Sequence, residues 1–227
     1  MKAHNIHINC DLGEGMANEA AMFPYIDACN LACGGHFGDE KTLKTSMALA
    51  KQHNVVCGAH PSYPDLENFG RQAMSMKKEA FVNSIQEQLN LFMEVYQEYF
   101  PNEKLPHIKA HGALYNDLCT NKILASWYLE AIELFKPVTI FTLSHGVLSE
   151  LATATGSQIV KEAFLDRAYT ADGFLKPRDQ AGSVLETAAA VMLQLPILQK
   201  KGAQTYCIHG DHPNSLDILK QIRQTKI

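Results

Sequence analysis

Seven short apolar or β-branched runs punctuate this chain, and each is followed by a helical pattern or a long loop. They cover Ile6 to Cys10, Asp27 to Ala32, Val55 to Ala59, His107 to Ala110, Val138 to Leu143, Gln158 to Ala163 and Thr205 to His209. Strands separated in this way pair in parallel through right-handed crossovers. Two architectures satisfy that rule: an α/β (β/α) barrel, here with about seven parallel strands, and an open doubly wound sheet. No Pro/Gly/Ser-rich linker, internal repeat or low-complexity segment divides the 227 residues, so one domain spanning 1–227 is expected.

The intervening patterns predict helices. Asp39 is expected to cap one reaching about Asn54, and Ser75 a long one reaching Phe100. In the second, Phe81, Ile85, Leu89, Phe92 and Tyr96 recur at helical spacing and mark a core-facing stripe. Further helices are expected over Asn121 to Phe135, Gly146 to Thr155, Val184 to Leu195 and Asn214 to Gln224.

Charge narrows the partners. Lys and Arg total 20 against 24 Asp and Glu, and no block of like charge occurs, which argues against nucleic acid and anionic membranes as partners. The first residues lack an apolar stretch of signal-peptide length, and no run approaches the roughly 18 apolar residues of a membrane span. A cytoplasmic location is expected. The six cysteines show no CxxC pair and read as buried, reduced thiols.

Polar residues gather where the strands end. The first run leads into Asp11 and Glu14, the second into His36, the third into His60, the fourth into Lys109 and His111, and the seventh into His209 and Asp211. The sixth leads through Glu162 to Asp166, Arg167 and Arg178. In a parallel α/β fold all strand C-termini lie on one face, so these groups are expected to converge on one cleft. Two chemistries suit it. Asp11, His36, His60, His111, His209 and Asp211 offer imidazole and carboxylate ligands to a divalent ion, with Asp11, His36, His60 and His111 the leading metal candidates. Without a metal, Asp11 or Glu14 would deprotonate water while His60, His111 or His209 protonates a leaving nitrogen. Arg71, Lys109, Arg167 and Arg178 add positive charge suited to a small anionic substrate. No phosphate loop, GxGxxG turn or GxSxG elbow is present.

Six motifs are recognisable in order along the chain. They are Asn9 to Gly15, Ala28 to Gly34, Gly58 to Asp65, Lys109 to Asn116, Asp166 to Tyr169 with Asp172-Gly173, and His209 to Asp211. Together they resemble the LamB/YcsF family, whose members are described as the A subunit of the prokaryotic ATP-dependent 5-oxoprolinase. The resemblance implies a (β/α) barrel like those of some glycoside hydrolases and polysaccharide deacetylases. It also implies opening of the lactam 5-oxo-L-proline to L-glutamate, coupled to ATP hydrolysis, with subunits B and C as partners. The motifs bring Asn9 and Tyr115 into the candidate substrate-binding set with His36, Arg71, Lys109, Arg167 and Arg178. Candidate catalytic residues are Asp11, Glu14, His60, His111, His209 and Asp211. The chain departs from the family pattern at Met16 to Glu19, at Gly35 to Phe37 and at Ala110, where Pro is usual. The competing readings are a stand-alone metal-dependent amidohydrolase or carbohydrate deacetylase, and a non-catalytic binding protein.

Overall fold

In the computed structural model, which describes residues 6–225, seven parallel strands close into a barrel in sequence order. They are β1 (Ile8–Leu12), β2 (Ala28–Ala32), β3 (Val56–His60), β4 (His107–Ile108), β5 (Thr139–Leu143), β6 (Gln158–Phe164) and β7 (Thr205–His209). Closure comes from β1 pairing with β7, where Asp11 lies opposite His209, while on its other side Asp11 lies opposite Asn30 of β2. The barrel, not the open sheet, is therefore the fold.

Among the described residues seven helices surround it: α1 (Glu40–His53), α2 (Lys78–Tyr99), α3 (Gly112–Thr120), α4 (Lys122–Ala131), α5 (Val147–Ala154), α6 (Ala188–Lys200) and α7 (Ser215–Gln224). Asp39 closes a capping box with Thr42, and Asn121 caps α4 through the amides of Ile123 and Leu124. With α1 and α4 packed alongside the helix, the α2 stripe is buried. At ~1.5–3 kcal/mol for each large apolar side chain removed from water, it anchors the longest helix. Among the described residues no helix is long and apolar enough to cross a membrane.

The elements differ from expectation in several places: β1 lies two residues later, β4 stops at Ile108, α4 stops at Ala131 and α6 runs on to Lys200, and three helix starts differ for identifiable reasons. Helix α2 starts after Lys77, because the backbone stays extended past Ser75, whose side chain makes no cap. Helix α3 has no counterpart in the sequence pattern; it opens at Gly112, whose φ of +55° and close approach to the Gly70 carbonyl only glycine accommodates. Helix α6 is capped by Thr187, not started at Val184, since Val184 bridges Arg167 in the strap that links β6 to α6.

One charged clamp holds the barrel seam. Arg223 of α7 donates to the Tyr25 carbonyl at 2.7 Å, the Ile6 carbonyl at 3.3 Å and Asp27 Oδ2 at 2.5 Å, and that oxygen also accepts from the Ile8 amide at 2.9 Å. Burial works to raise the Asp27 carboxyl, but the Ile8 amide and Arg223 hold it below its usual range. Arg223→Ala is expected to cost about 2–3 kcal/mol in urea unfolding near neutral pH. The clamp's contribution is present above the unfolded carboxylate pKa of about 3.9 and is lost as pH falls below it, so variant and parent should converge in acid. An unchanged midpoint at pH 7 would rule the clamp out.

Candidate active site

Residues two apart on a strand face the same side of the sheet, so Asn9 and Asp11 on β1 both enter the barrel lumen while Ile8, Cys10 and Leu12 pack outward. The lumen is polar. Asn30 Nδ2 donates to Asn9 Oδ1 at 2.8 Å and to Asp11 Oδ1 at 2.7 Å, and Asn9 Nδ2 donates to Thr205 Oγ1 at 2.9 Å. His107 Nε2 donates to Asn30 Oδ1 at 2.9 Å. Burial, with His7 and Lys109 nearby, pushes that imidazole down to about 3, so it stays neutral. Its ring fills the space beside Gly58, where any Cβ would overlap it. These bonds answer the rule that buried polar groups need partners, and they fix the orientation of Asp11 from below.

Lys109 stands at the centre. Its Nζ lies 2.8 Å and 3.1 Å from the two Asp11 oxygens, 2.9 Å from Glu162 Oε1 and 2.9 Å from Cys207 Sγ, with the Phe164 ring at 4.7 Å. Burial opposes its charge, but Asp11, Cys207 and Glu162 outweigh burial and hold the ammonium well above its usual range. Burial likewise works to raise Asp11, yet His60, Lys109 and His209 hold it well below, so it is a carboxylate. Burial raises Glu162, although Lys109 pulls the other way.

His209 ends β7 beside Asp11. Asp166 Oδ2 accepts from both its backbone amide at 3.0 Å and its Nδ1 at 2.9 Å. Nδ1 therefore carries a proton, and Nε2 faces Asp11 Oδ2 at 4.0 Å. Burial works to raise Asp166, but the His209 contacts bring it down to about 2.

A cavity of about 710 Å³ opens over this floor, with Asp11, Lys109, His111, Tyr115, Phe164, Arg167 and His209 in its walls and Arg71 and Arg178 toward its mouth. Arg71 pairs with Asp211, and Arg178 reaches the same carboxylate at 3.2 Å. Asp211 thus holds the loop after β3 and the strap after β6 together, and it lines an adjoining cavity of about 440 Å³ with Arg167 and Arg178. The Arg167 guanidinium donates to the Ser183 and Lys176 carbonyls, and burial followed by Arg178 lowers it to about 10.

Beside the floor lies a second group. Glu14, His36, His60 and His111 are all buried, and one ligand atom from each lies within 4.8 Å of the others, an arrangement that could hold a metal ion. Glu14 joins the three expected histidines in this set, and the fourth expected ligand, Asp11, lies at its edge with Oδ2 3.4 Å from His60 Nε2 while it also pairs with Lys109 and Asn30. Burial, then Asp11 and Asp211, raises the Glu14 carboxyl well above its usual range, while burial and mutual proximity drive His36 and His111 well below theirs. Glu19, within the segment that departs from the family pattern, accepts the amides of Gly13, Glu14 and Met16 at 2.9–3.1 Å and so shapes the loop carrying Glu14. Phe37, in the second departure, packs over Gly15 and beside Phe69.

The thirteen predicted residues therefore separate by place. Asp11, Lys109, His111, Tyr115, Arg71, Arg167, Arg178 and His209 line the main cavity; Glu14, His36 and His60 lie beneath it with Asn9; Asp211 ties the rim. All six cysteines are buried and free. Sequence reasoning misses the roles of Asn30, Glu162 and Asp166, although a carboxylate inside a β-branched run two residues from Phe164 signals an inward position by alternation.

A family model, LamB/YcsF family, matches residues 6–226. The chain belongs to the LamB/YcsF family. Similar LamB/YcsF proteins include the A subunit of 5-oxoprolinase from Vibrio cholerae serotype O1, 32% identical over 98% of each chain. The protein of the same name from Pyrococcus furiosus is 35% identical, over 96% of this chain and 92% of that one. Among solved structures, the lactam utilization protein from Thermus thermophilus superimposes with a TM-score of 0.86 at 30% identity, covering 96% of this chain and 94% of that one. The homocysteine methyltransferase MmuM from Escherichia coli, at 10% identity and a TM-score of 0.53, shares the fold alone.

Proposed function

We propose that this chain is the A subunit of an ATP-dependent 5-oxoprolinase, opening 5-oxo-L-proline to L-glutamate in the cytoplasm together with subunits B and C. The observation that carries the reading is the Asp11 and His209 pair at the floor of a cavity walled by cationic side chains, in a chain whose relatives are named for that enzyme.

Opening an unstrained lactam requires a positioned water, a group to take its proton and a proton for the departing nitrogen. His209 Nε2 has its lone pair toward the cavity, and the Asp166 carboxylate stabilises the imidazolium that forms. Asp11 Oδ2 orients the water, its other oxygen being held by Asn30 and Lys109. Water oxygen bonds to the lactam carbon; the C–N bond then breaks, and the proton on His209 passes to the nitrogen. The product carries a new carboxylate and a free amine. Lys109 is a positioning residue, since its ammonium is committed to Asp11, Glu162 and Cys207. The substrate carboxylate is assigned to Arg71 and Arg178, which already hold a carboxylate, that of Asp211.

Two of the glycine turns beside the site, at Gly35 and Gly70, do not frame a triphosphate. A Cβ at Gly35 would meet Ser62 and Gln88, and one at Gly70 would meet His36 and His111, so these turns close on the chain's own atoms instead of framing an open cradle. The steps above use this chain's own residues and none runs through the nucleotide.

The deciding measurement is glutamate release from 5-oxoproline, with this chain alone and with candidate B and C subunits, with and without ATP. Release is expected only from the complete mixture. Release by the chain alone without ATP would favour a stand-alone amidohydrolase, and absence of release in every mixture would overturn the lactam reading.

A further inference from the structure

The buried group beside the floor turns the inner nitrogens of its histidines toward one another and toward a carboxylate. His60 Nδ1 lies 2.8 Å from the Lys109 carbonyl, and His111 Nε2 lies 2.9 Å from the Phe69 carbonyl. A carbonyl oxygen only accepts, so each of these nitrogens carries the ring hydrogen. In the neutral rings the other nitrogens, His60 Nε2 and His111 Nδ1, present lone pairs; they face each other at 3.0 Å, and Asp11 Oδ2 lies 3.4 Å from His60 Nε2. Glu14 Oε1, a further acceptor when ionised, stands 3.4 Å from His111 Nδ1, 4.0 Å from His60 Nε2 and 3.1 Å from His36 Nε2. Acceptors converging in a buried space call for positive charge among them, which either a proton shared with Asp11 and Glu14 or a metal ion supplies.

Histidines that bind metals commonly donate their outer N–H to a carbonyl or carboxylate, which fixes the tautomer and aims the inner nitrogen at the ion. His60 and His111 both do so here. The ligands come from four successive strand ends: Glu14 after β1, His36 after β2, His60 at the end of β3 and His111 after β4. Tetrahedral zinc at about 2.0–2.1 Å from its ligands places neighbouring ligand atoms roughly 3.3 Å apart, against separations here of up to 4.8 Å, and the His36 and His111 rings stack face to face at 3.6 Å, so binding draws the four groups inward and turns one of these rings. Three imidazoles and one carboxylate suit zinc or a like divalent transition ion over magnesium or calcium, which prefer oxygen.

We propose that Glu14, His36, His60 and His111 bind one zinc-type divalent ion in a closed, four-ligand site beside the catalytic floor. All four positions are taken by protein, so the ion ties the ends of β1 to β4 together and places positive charge near Asp11, instead of binding the attacking water. The site does not depend on the lactam reading, and no substrate enters its test.

The full chain is stripped with chelator, checked for fold by circular dichroism, and titrated with zinc by calorimetry and with cobalt(II) by absorption. One ion per chain, the intense visible bands of tetrahedral cobalt, and a higher melting temperature with zinc are expected. His36→Ala and Glu14→Gln should each weaken binding by more than about 100-fold while the stripped variants keep the parent's circular dichroism spectrum. Equal binding by the parent and by the Glu14→Gln/His36→Ala double variant would overturn the site, as would a sulfur-to-cobalt charge-transfer band, which places the ion on cysteines. Stripped parent protein that takes up no stoichiometric ion would overturn it as well.

Discussion

Asp11→Asn should reduce glutamate release by the reconstituted complex by about 10³-fold or more in kcat, with KM changed by only a few-fold. The substitution keeps the shape of the side chain and its bond from Asn30, and Lys109 retains Glu162 as counter-charge, so the barrel stays folded. What disappears is a carboxylate that His60, Lys109 and His209 keep ionised against the effect of burial. An amide cannot stabilise positive charge developing on His209 4.0 Å away, and it orients water through a different set of lone pairs and hydrogens. Because Asp11 lies well below its usual range, its charge does not titrate between about pH 5 and 9, and an acid limb in that interval would belong to another group. Turnover within tenfold of the parent, with an unchanged melting curve, would remove Asp11 from the chemistry.

The largest stability effect is expected at Lys109. Lys109→Met preserves most of the volume but leaves the buried Asp11 and Glu162 carboxyls without the ammonium that now lies between them. Breaking a buried ion pair from one side costs about 3–5 kcal/mol, and the upper end applies where two carboxylates lose the same partner. Urea unfolding should show that loss as a lower midpoint at a similar slope. Adding Glu162→Gln to Lys109→Met should recover part of it, because the two positions share one interaction and their effects are not additive. A single variant within about 1 kcal/mol of the parent would mean that Lys109 does not carry its charge in the folded state.

Much of the candidate site is legible in the sequence because barrel strands share a direction. Once the period-2 runs mark strand ends, Asp11, His36, His60, His111 and His209 fall on one face without further information. What alternation alone does not separate is the work of the histidines. His111 and His209 look alike in sequence, each followed by a glycine, yet one points its nitrogens into the Glu14 group and at the Phe69 carbonyl, and the other presents a free nitrogen to the cavity. The difference is set by which acceptor meets the outer ring nitrogen, and that acceptor comes from another loop. Glu162 and Asp166 fall among the expected strand-end groups, but their roles escape a sequence reading for a related reason: these lie in Lys109 and His209, partners 53 and 43 positions away.

Local chemistry determined the seven strands, most helix limits, the Asp39 and Asn121 caps and the convergence of polar groups, since each depends on residues within one or two turns of chain. The helix starts at Lys78 and Ala188 and the whole of α3 depended instead on contacts from outside those segments. Only barrel closure decided that Asp11 pairs with Lys109, that Glu14 joins the three histidines, and that Asp211 bridges two arginines at the rim. Those choices rest on electrostatics in a buried lumen, where each charge settles with whichever opposite charge the closed sheet brings within about 3 Å, whatever their separation along the chain.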